Sequence, residues 1–147
     1  MDLYQIPVET ASGQASNLSA YRRSVLLIVN TANKCGFTPQ YADLSDLAAR
    51  WQDHDFAVLA FPSNDFHKQE LGTNAEIQSY CSAAYGVSLP VFAKVSVEPS
   101  HQQAPLFHYL TSAANAGFPR RILWNFEKFL LGRASAAFSH AAPSHTL

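Results

Sequence analysis

Two cysteines are the residues of this chain best suited to nucleophilic or redox chemistry. Cys35 follows the apolar run 25–29 and stands in the polar stretch "NTANKCGFTPQY". A thiolate is stabilised at a helix N-terminus and by a neighbouring cation such as Lys34. A thiol with a pKa of about 8.5 is only about 3% thiolate at pH 7, whereas a pKa of about 6 makes it roughly 90% thiolate. By position alone, Cys35 fits an activated nucleophile and an inert loop cysteine equally well.

Strand and helix patterns alternate around this cysteine. The lead-in, residues 1–24, is irregular or a short hairpin with a turn signal at Ser12-Gly13. The predicted strands are residues 25–30, 56–61 and 91–97, followed by an antiparallel pair joined at Gly132-Arg133. The predicted helices begin near Pro39, at a capping box of Thr73 and Glu76, and at residue 104. This order predicts an α/β fold over residues 1–147, a single domain with its site at the carboxyl ends of the strands.

The helix predicted after Pro39 has an apolar face formed by Leu44, Leu47 and Trp51. The helix predicted from Thr73 runs to about Gly86 and carries the second cysteine. Each helix therefore follows a polar segment at the end of a strand, where reactive side chains are expected.

Composition excludes several classes of protein. The chain has 147 residues, 48% of them hydrophobic and 14% charged, which suits one folded domain and excludes a disordered tail. The net charge is −1 and the basic residues are scattered, so we expect no nucleic-acid partner. No signal pattern and no apolar stretch of roughly 20 residues is present, so we expect a cytoplasmic protein without integral membrane contact. Two cysteines and dispersed histidines give no metal-ligand spacing.

Three stretches of the sequence together resemble the signature segments of the glutathione peroxidase family. They are "NKCGFTPQY", "FPSNDFHKQELGTN" and "WNFEKFL", in the family's order and at similar spacing. The similarity extends from "LYQIPV" through "YGVSLPVFAKV" to about residue 138. The resemblance implies a thioredoxin-like fold with a central mixed sheet flanked by helices. It also implies reduction of hydrogen peroxide or organic hydroperoxides without a metal or organic cofactor.

The resemblance assigns four catalytic residues. Cys35 matches the peroxidatic residue, and Gln69, Trp124 and Asn125 complete the family's tetrad. A thiolate that attacks a peroxide oxygen becomes a sulfenic acid. Amide and indole N–H groups can hydrogen-bond the thiolate and the polarised peroxide without competing as nucleophiles. Taken singly, the tryptophan would be read as a core aromatic, the glutamine as a solvated loop residue and the asparagine as a strand-edge residue.

The second motif departs from the family pattern at three positions. The family usually has Phe-Pro-Cys-Asn-Gln-Phe-Gly, whereas this chain has Ser63, Asp65 and His67 in place of the cysteine, glutamine and glycine. The carboxylate of Asp65 would disfavour a nearby thiolate if it pointed inward. His67 would demand a different loop path if the family's glycine has a positive φ.

The second cysteine, Cys81, is the candidate resolving residue. Cysteine-type relatives form a disulfide between the peroxidatic cysteine and a cysteine on the helix after the second motif. Cys81 is on that predicted helix, but one position before the aligned resolving cysteine, and one position turns a helical side chain by about 100°. The alternative is that Cys81 packs against the sheet beside Ile77 and Tyr80.

The resemblance also bears on the reductant. The segment between Leu110 and Trp124 lacks the long insertion that supports tetramers in some relatives, and no arginine cluster for glutathione is evident. Both features favour a monomer that is reduced by a thioredoxin-type protein. The alternatives are direct reduction by glutathione, a peroxide-sensing redox relay, and a thioredoxin-like binding module without catalysis.

Overall fold

A computed structural model describes residues 2–32, 39–65, 73–77, 79, 89–99, 102–111, 122 and 125–132, and the backbone of 137–141. Its strands are β1 (Val8–Glu9), β2 (Ala15–Ser16), β3 (Val25–Thr31), β4 (Phe56–Pro62), β5 (Lys128–Leu131) and β6 (Ala137–Ala141). The helices within these residues are α1 (Gln40–Trp51) and α2 (Pro105–Leu110), with 3₁₀ turns at Leu3–Gln5 and Ser19–Tyr21 and helical residues at 74–77.

Four strands form one mixed sheet in the order β4-β3-β5-β6. The strands β3 and β4 run parallel, with a register from Val25 opposite Phe56 to Thr31 opposite Pro62. The pairs β3–β5 and β5–β6 are antiparallel. The predicted mixed sheet is therefore confirmed, and two of its strands end side by side at their carboxyl termini.

Both faces of this sheet are covered, which explains why β3 is apolar throughout. Leu26 and Ile28 belong to a core cluster that includes α2, and Leu27 and Val29 belong to a second cluster that includes α1. Alternate side chains of a strand point to opposite faces. A continuous apolar run is thus the expected pattern for a strand between two helical layers.

The predicted helix starts are confirmed where the structure describes them. In the capping box, Thr73 Oγ1 accepts a hydrogen bond from the Glu76 N–H at 3.2 Å and donates one to Glu76 Oε1 at 2.9 Å. Ile77, one turn later, is buried. The remainder of that predicted helix, including Cys81, lies outside the described residues apart from residue 79.

The prediction of a continuous third strand at residues 91–97 is wrong. Val91 forms an isolated parallel bridge to Ala60 of β4, and Val95 forms another to Ser63, directly after β4. Between them, the N–H of Ala93 donates to the Glu9 carbonyl at 3.0 Å, and the N–H of Lys94 donates to a side-chain oxygen of Asn74 at 2.8 Å. Because the segment divides its donors among β4, the N-terminal hairpin and the helical residues, no regular ladder forms.

Burial decreases along the predicted apolar face of α1. Leu44 is fully buried and Leu47 is half-buried, whereas Trp51 is 46% exposed. Trp51 is the last residue of α1, and its ring contacts the His54 ring of the following turn at a centroid distance of 5.2 Å. Within the described residues, no helix is both long and apolar enough to cross a membrane.

Candidate functional site

The structure describes one of the five residues predicted to act in the site. Asn125 is fully buried, immediately before the segment that enters β5. Cys35, Gln69, Trp124 and Cys81 lie outside the described residues. The structure therefore shows the site through the strand ends and turns that precede or follow these residues in the chain.

Two of these attachment points are neighbours at the carboxyl edge of the sheet. Thr31 ends β3, and the N–H of Ser63, directly after β4, donates to its carbonyl at 2.9 Å. Cys35 follows Thr31 by four residues, and Gln69 follows Ser63 by six. The two strand ends that precede the thiol and the amide in the chain are therefore adjacent.

A third attachment point is tied to the same edge by one asparagine of β3. The fully buried Asn30 accepts two hydrogen bonds from the turn that precedes β5. Its carbonyl accepts from the Phe126 N–H at 2.5 Å, and its side-chain Oδ1 accepts from the Glu127 N–H at 3.1 Å. Asn125 directly precedes Phe126 in the chain, so the asparagine of the third motif lies next to a turn that is hydrogen-bonded to β3.

The anchored turn has an unusual backbone conformation. Phe126 has a φ of +64°, a left-handed conformation that costs a bulky residue about 1–3 kcal/mol. Its fully buried ring packs edge-on against Tyr41 of α1, with centroids 5.4 Å apart. The ring contact and the two hydrogen bonds to Asn30 offset this strain and hold the turn that follows Asn125 against β3 and α1.

A buried lysine lies behind the same turn. Lys128 is only 5% exposed, and its ammonium donates to Gln40 Oε1 at 2.7 Å and to the Phe126 carbonyl at 2.8 Å. Burial lowers the pKa of Lys128 to about 8, while the negative charge of Glu127 acts in the opposite direction. With that pKa, about nine in ten ammonium groups keep their proton at pH 7.

Sequence reasoning did not identify Asn30, Gln40 or Lys128. Each is a polar residue that the fold buries, and a buried polar side chain needs a partner. Asn30 ends an apolar run, and Lys128 stands between Glu127 and the apolar residues 129–131 in "NFEKFLL". A polar residue inside or at the end of a buried strand was the available signal, although the sequence does not show which partner each residue meets.

The unusual aspartate of the second motif has a defined set of partners. The carboxylate of Asp65 accepts hydrogen bonds from the Ser96 hydroxyl at 3.0 Å and from the N–H groups of Val97 and Glu98 at 2.6 and 2.9 Å. The N–H of Asp65 itself donates to Ser63 Oγ at 3.3 Å. The charge is thus directed to the segment 96–98, where three donors compensate it.

We expect Asp65→Ala to lower the free energy of unfolding by about 2–3 kcal/mol, because hydrogen bonds to a charged group contribute roughly 1.5–3 kcal/mol each and this carboxylate is partly exposed. Urea unfolding followed by circular dichroism measures the change. Asp46→Ala, at an exposed position of α1, is the matched control and should change stability by less than about 0.5 kcal/mol. Equal stability of the two variants would show that Asp65 is not an anchor.

The described residues contain no group of three histidine, cysteine or acidic side chains that could hold a metal ion. A cleft of about 460 Å³ lies between the β1–β2 hairpin and residues 90–92. Its lining includes Thr10, Ser16 and Tyr21 but none of the strand ends that lead to the predicted site residues. We assign the cleft no part in the chemistry.

A family model and the curated relatives point to the same protein family. The glutathione peroxidase family model matches residues 3–111. The glutathione peroxidase homolog BsaA of Halalkalibacterium halodurans is 45% identical over 144 residues, which cover 98% of this chain and 91% of that protein. The thioredoxin/glutathione peroxidase BtuE of Escherichia coli is 38% identical over 159 aligned positions, covering 95% of this chain and 86% of that protein.

Solved structures give the same fold. The crystal structure of T. cruzi GPX1 superposes with a TM-score of 0.75 and 27% identity, covering 97% of this chain and 87% of that one. A thioredoxin-family thiol:disulfide interchange protein from Chlorobium tepidum superposes with a TM-score of 0.64 at 12% identity, covering 96% and 84%. The latter shows the fold alone. The predicted thioredoxin-like fold is confirmed.

Proposed function

Since this chain belongs to the glutathione peroxidase family, we propose that Cys35 is the nucleophile of a thiol peroxidase that reduces hydrogen peroxide or organic hydroperoxides. The observation that carries the proposal is the anchoring of three segments at one edge of the sheet. The end of β3 leads to Cys35, the end of β4 leads to Gln69, and the turn held by Asn30 carries Asn125. The carboxyl ends of strands are where α/β folds place their sites.

The first chemical step follows from these residue types. The Cys35 thiolate attacks one peroxide oxygen, an S–O bond forms, and the O–O bond breaks. Sulfur is oxidised by two electrons to a sulfenic acid, while the departing oxygen takes up a proton and leaves as water or alcohol. The N–H groups of Gln69, Trp124 and Asn125 are suited to stabilise the thiolate and the negative charge that develops on the departing oxygen.

The second step returns the sulfur to the thiol. The thiol of Cys81 attacks the sulfenic sulfur, water leaves, and a Cys35–Cys81 disulfide forms. A dithiol protein of the thioredoxin type then reduces this disulfide and is itself oxidised to a disulfide. BtuE, whose name includes both thioredoxin and glutathione, supports a thiol reductant for this chain. We further propose that the enzyme is a single-domain cytoplasmic monomer.

Steady-state peroxide consumption with each reductant tests this function. We expect thioredoxin with its reductase to support turnover at least about tenfold more efficiently than glutathione with its reductase, measured as NADPH oxidation at equal enzyme concentration. Faster turnover with glutathione would establish the direct glutathione mechanism instead. If neither reductant supports consumption above that of buffer, the peroxidase proposal is wrong.

A further inference from the structure

Lys128 connects the two parts of the chain that flank the proposed site. Its ammonium donates at once to the side chain of Gln40, the first residue of α1, and to the backbone carbonyl of Phe126. Gln40 follows Cys35 by five residues, and Phe126 follows Asn125 directly. One side chain therefore joins the helix after the nucleophile to the turn that carries the tetrad asparagine.

The sheet explains why this side chain reaches α1. Lys128 is the antiparallel partner of Val29, whose side chain packs in the cluster that contains Tyr41 and Leu44 of α1. Directly opposite residues in an antiparallel pair point to the same face of the sheet. The lysine stem therefore lies on the α1 face, and the ammonium comes to rest at the start of that helix.

The partners of this ammonium are unusual for a buried charge. Within the part of the chain that the structure describes, both acceptors are neutral oxygens, and no carboxylate lies within ion-pair distance of Lys128. Burying a charge costs stability unless it is paired, so an apolar side chain would suit fold stability better at this position. What an apolar residue could not supply is the simultaneous bond to two separate segments.

We propose that Lys128 is a positioning residue that holds the start of α1 and the Asn125–Phe126 turn at a defined separation, and thereby aligns Cys35 with the tetrad donors for attack on peroxide. The inference rests on the proposed function. A small displacement between a nucleophile and its stabilising donors slows the reaction strongly, because the donors must already be in place when charge develops. Reduction of a disulfide by an external dithiol does not use that alignment.

Stopped-flow measurement of the two half-reactions separates positioning from a structural role. In Lys128→Met, we expect the second-order rate constant for oxidation by hydrogen peroxide to fall at least about tenfold. The rate constant for reduction of the oxidised enzyme by thioredoxin should stay within about twofold of wild type. Lys128→Arg keeps the charge and the donors, and should recover oxidation to within about threefold of wild type.

Two control variants separate alignment from the loss of a positive charge and from lowered stability. Arg50→Met removes a positive charge from the exposed last turn of α1, and Leu18→Ala lowers stability from the opposite core cluster. Both should oxidise at the wild-type rate. The proposal is overturned if Lys128→Met is oxidised as fast as wild type, if it is slowed no more than Leu18→Ala, or if both half-reactions slow equally.

Gln40→Met breaks the same bridge from the helix and replaces Lys128→Met in the measurement if the latter does not fold. Its oxidation should be at least about threefold slower than wild type, and an unchanged rate contradicts the bridge. A different result would show that the proposed peroxidase function is wrong. In that case wild type itself reacts with peroxide no faster than Cys35→Ser, whereas an active wild type with an unaffected bridge variant refutes the role of Lys128 alone.

Discussion

Replacing Cys35 with serine is expected to abolish peroxide turnover with thioredoxin and with glutathione. A serine hydroxyl supplies almost no anion at pH 7 and forms no sulfenic acid, so both half-reactions lose their reacting atom. Peroxide consumption in the coupled NADPH assay should fall to less than about a hundredth of the wild-type rate. Residual activity above about a tenth of wild type would show that another residue attacks the peroxide.

The fold should tolerate this exchange, since it changes a single atom. Circular dichroism and the melting temperature should match those of wild type within a few degrees, which separates lost chemistry from lost structure. The matched control is Cys81→Ser, the same change at the other thiol. This variant should still consume about one equivalent of peroxide in a single rapid burst, because only the later step needs Cys81.

Cys81→Ser is expected to remove sustained turnover with thioredoxin. Without the resolving thiol no intramolecular disulfide forms, so the sulfenic acid at Cys35 persists and is oxidised further to a sulfinic acid. Intact-protein mass spectrometry distinguishes the products. Wild type treated with peroxide should lose about 2 mass units on forming the disulfide, whereas the variant should gain about 16 or 32 mass units.

One result would contradict the resolving role of Cys81. If Cys81→Ser turns over with thioredoxin as fast as wild type, Cys81 is a packing residue and the enzyme works with one cysteine. A disulfide requires Cα atoms about 4.4–6.8 Å apart. Cys35 and Cys81 are predicted on separate elements, so we expect them to be farther apart than this in the reduced protein. The disulfide should then form only with local unwinding of the predicted helix that starts at Thr73, and hydrogen exchange in that helix should increase when wild type is oxidised.

The strands around the site could be predicted because their local pattern agrees with their environment. Continuous apolar runs predicted β3 and β4 to within one residue at their ends, since each strand is covered on both faces. With the Ser12-Gly13 turn signal, the lead-in was expected to be irregular or a short hairpin, and the structure forms the hairpin. Gly13 has a φ of +87°, which glycine adopts without strain. The local sequence was sufficient to predict a segment whose conformation depends mainly on its own residues.

Prediction failed where several segments compete for the same backbone groups. Residues 91–97 have the composition of a strand, yet Ala93 and Lys94 donate to Glu9 and Asn74 rather than to β4. The direction of the Asp65 carboxylate was open for the same reason. Its donors, at residues 96–98, are more than thirty positions away along the chain.

By itself, the sequence determined the class of chemistry: a cysteine after a buried strand, and three motifs whose joint order identifies the family. Only the tertiary structure decided how the segments that carry those motifs are held together. Asn30 meets Glu127 across 97 positions, and Lys128 meets Gln40 across 88. These contacts exist because β5 pairs with β3 in one particular register. A polar residue in an apolar strand shows only that it needs a partner, and the register of the sheet decides which partner that is.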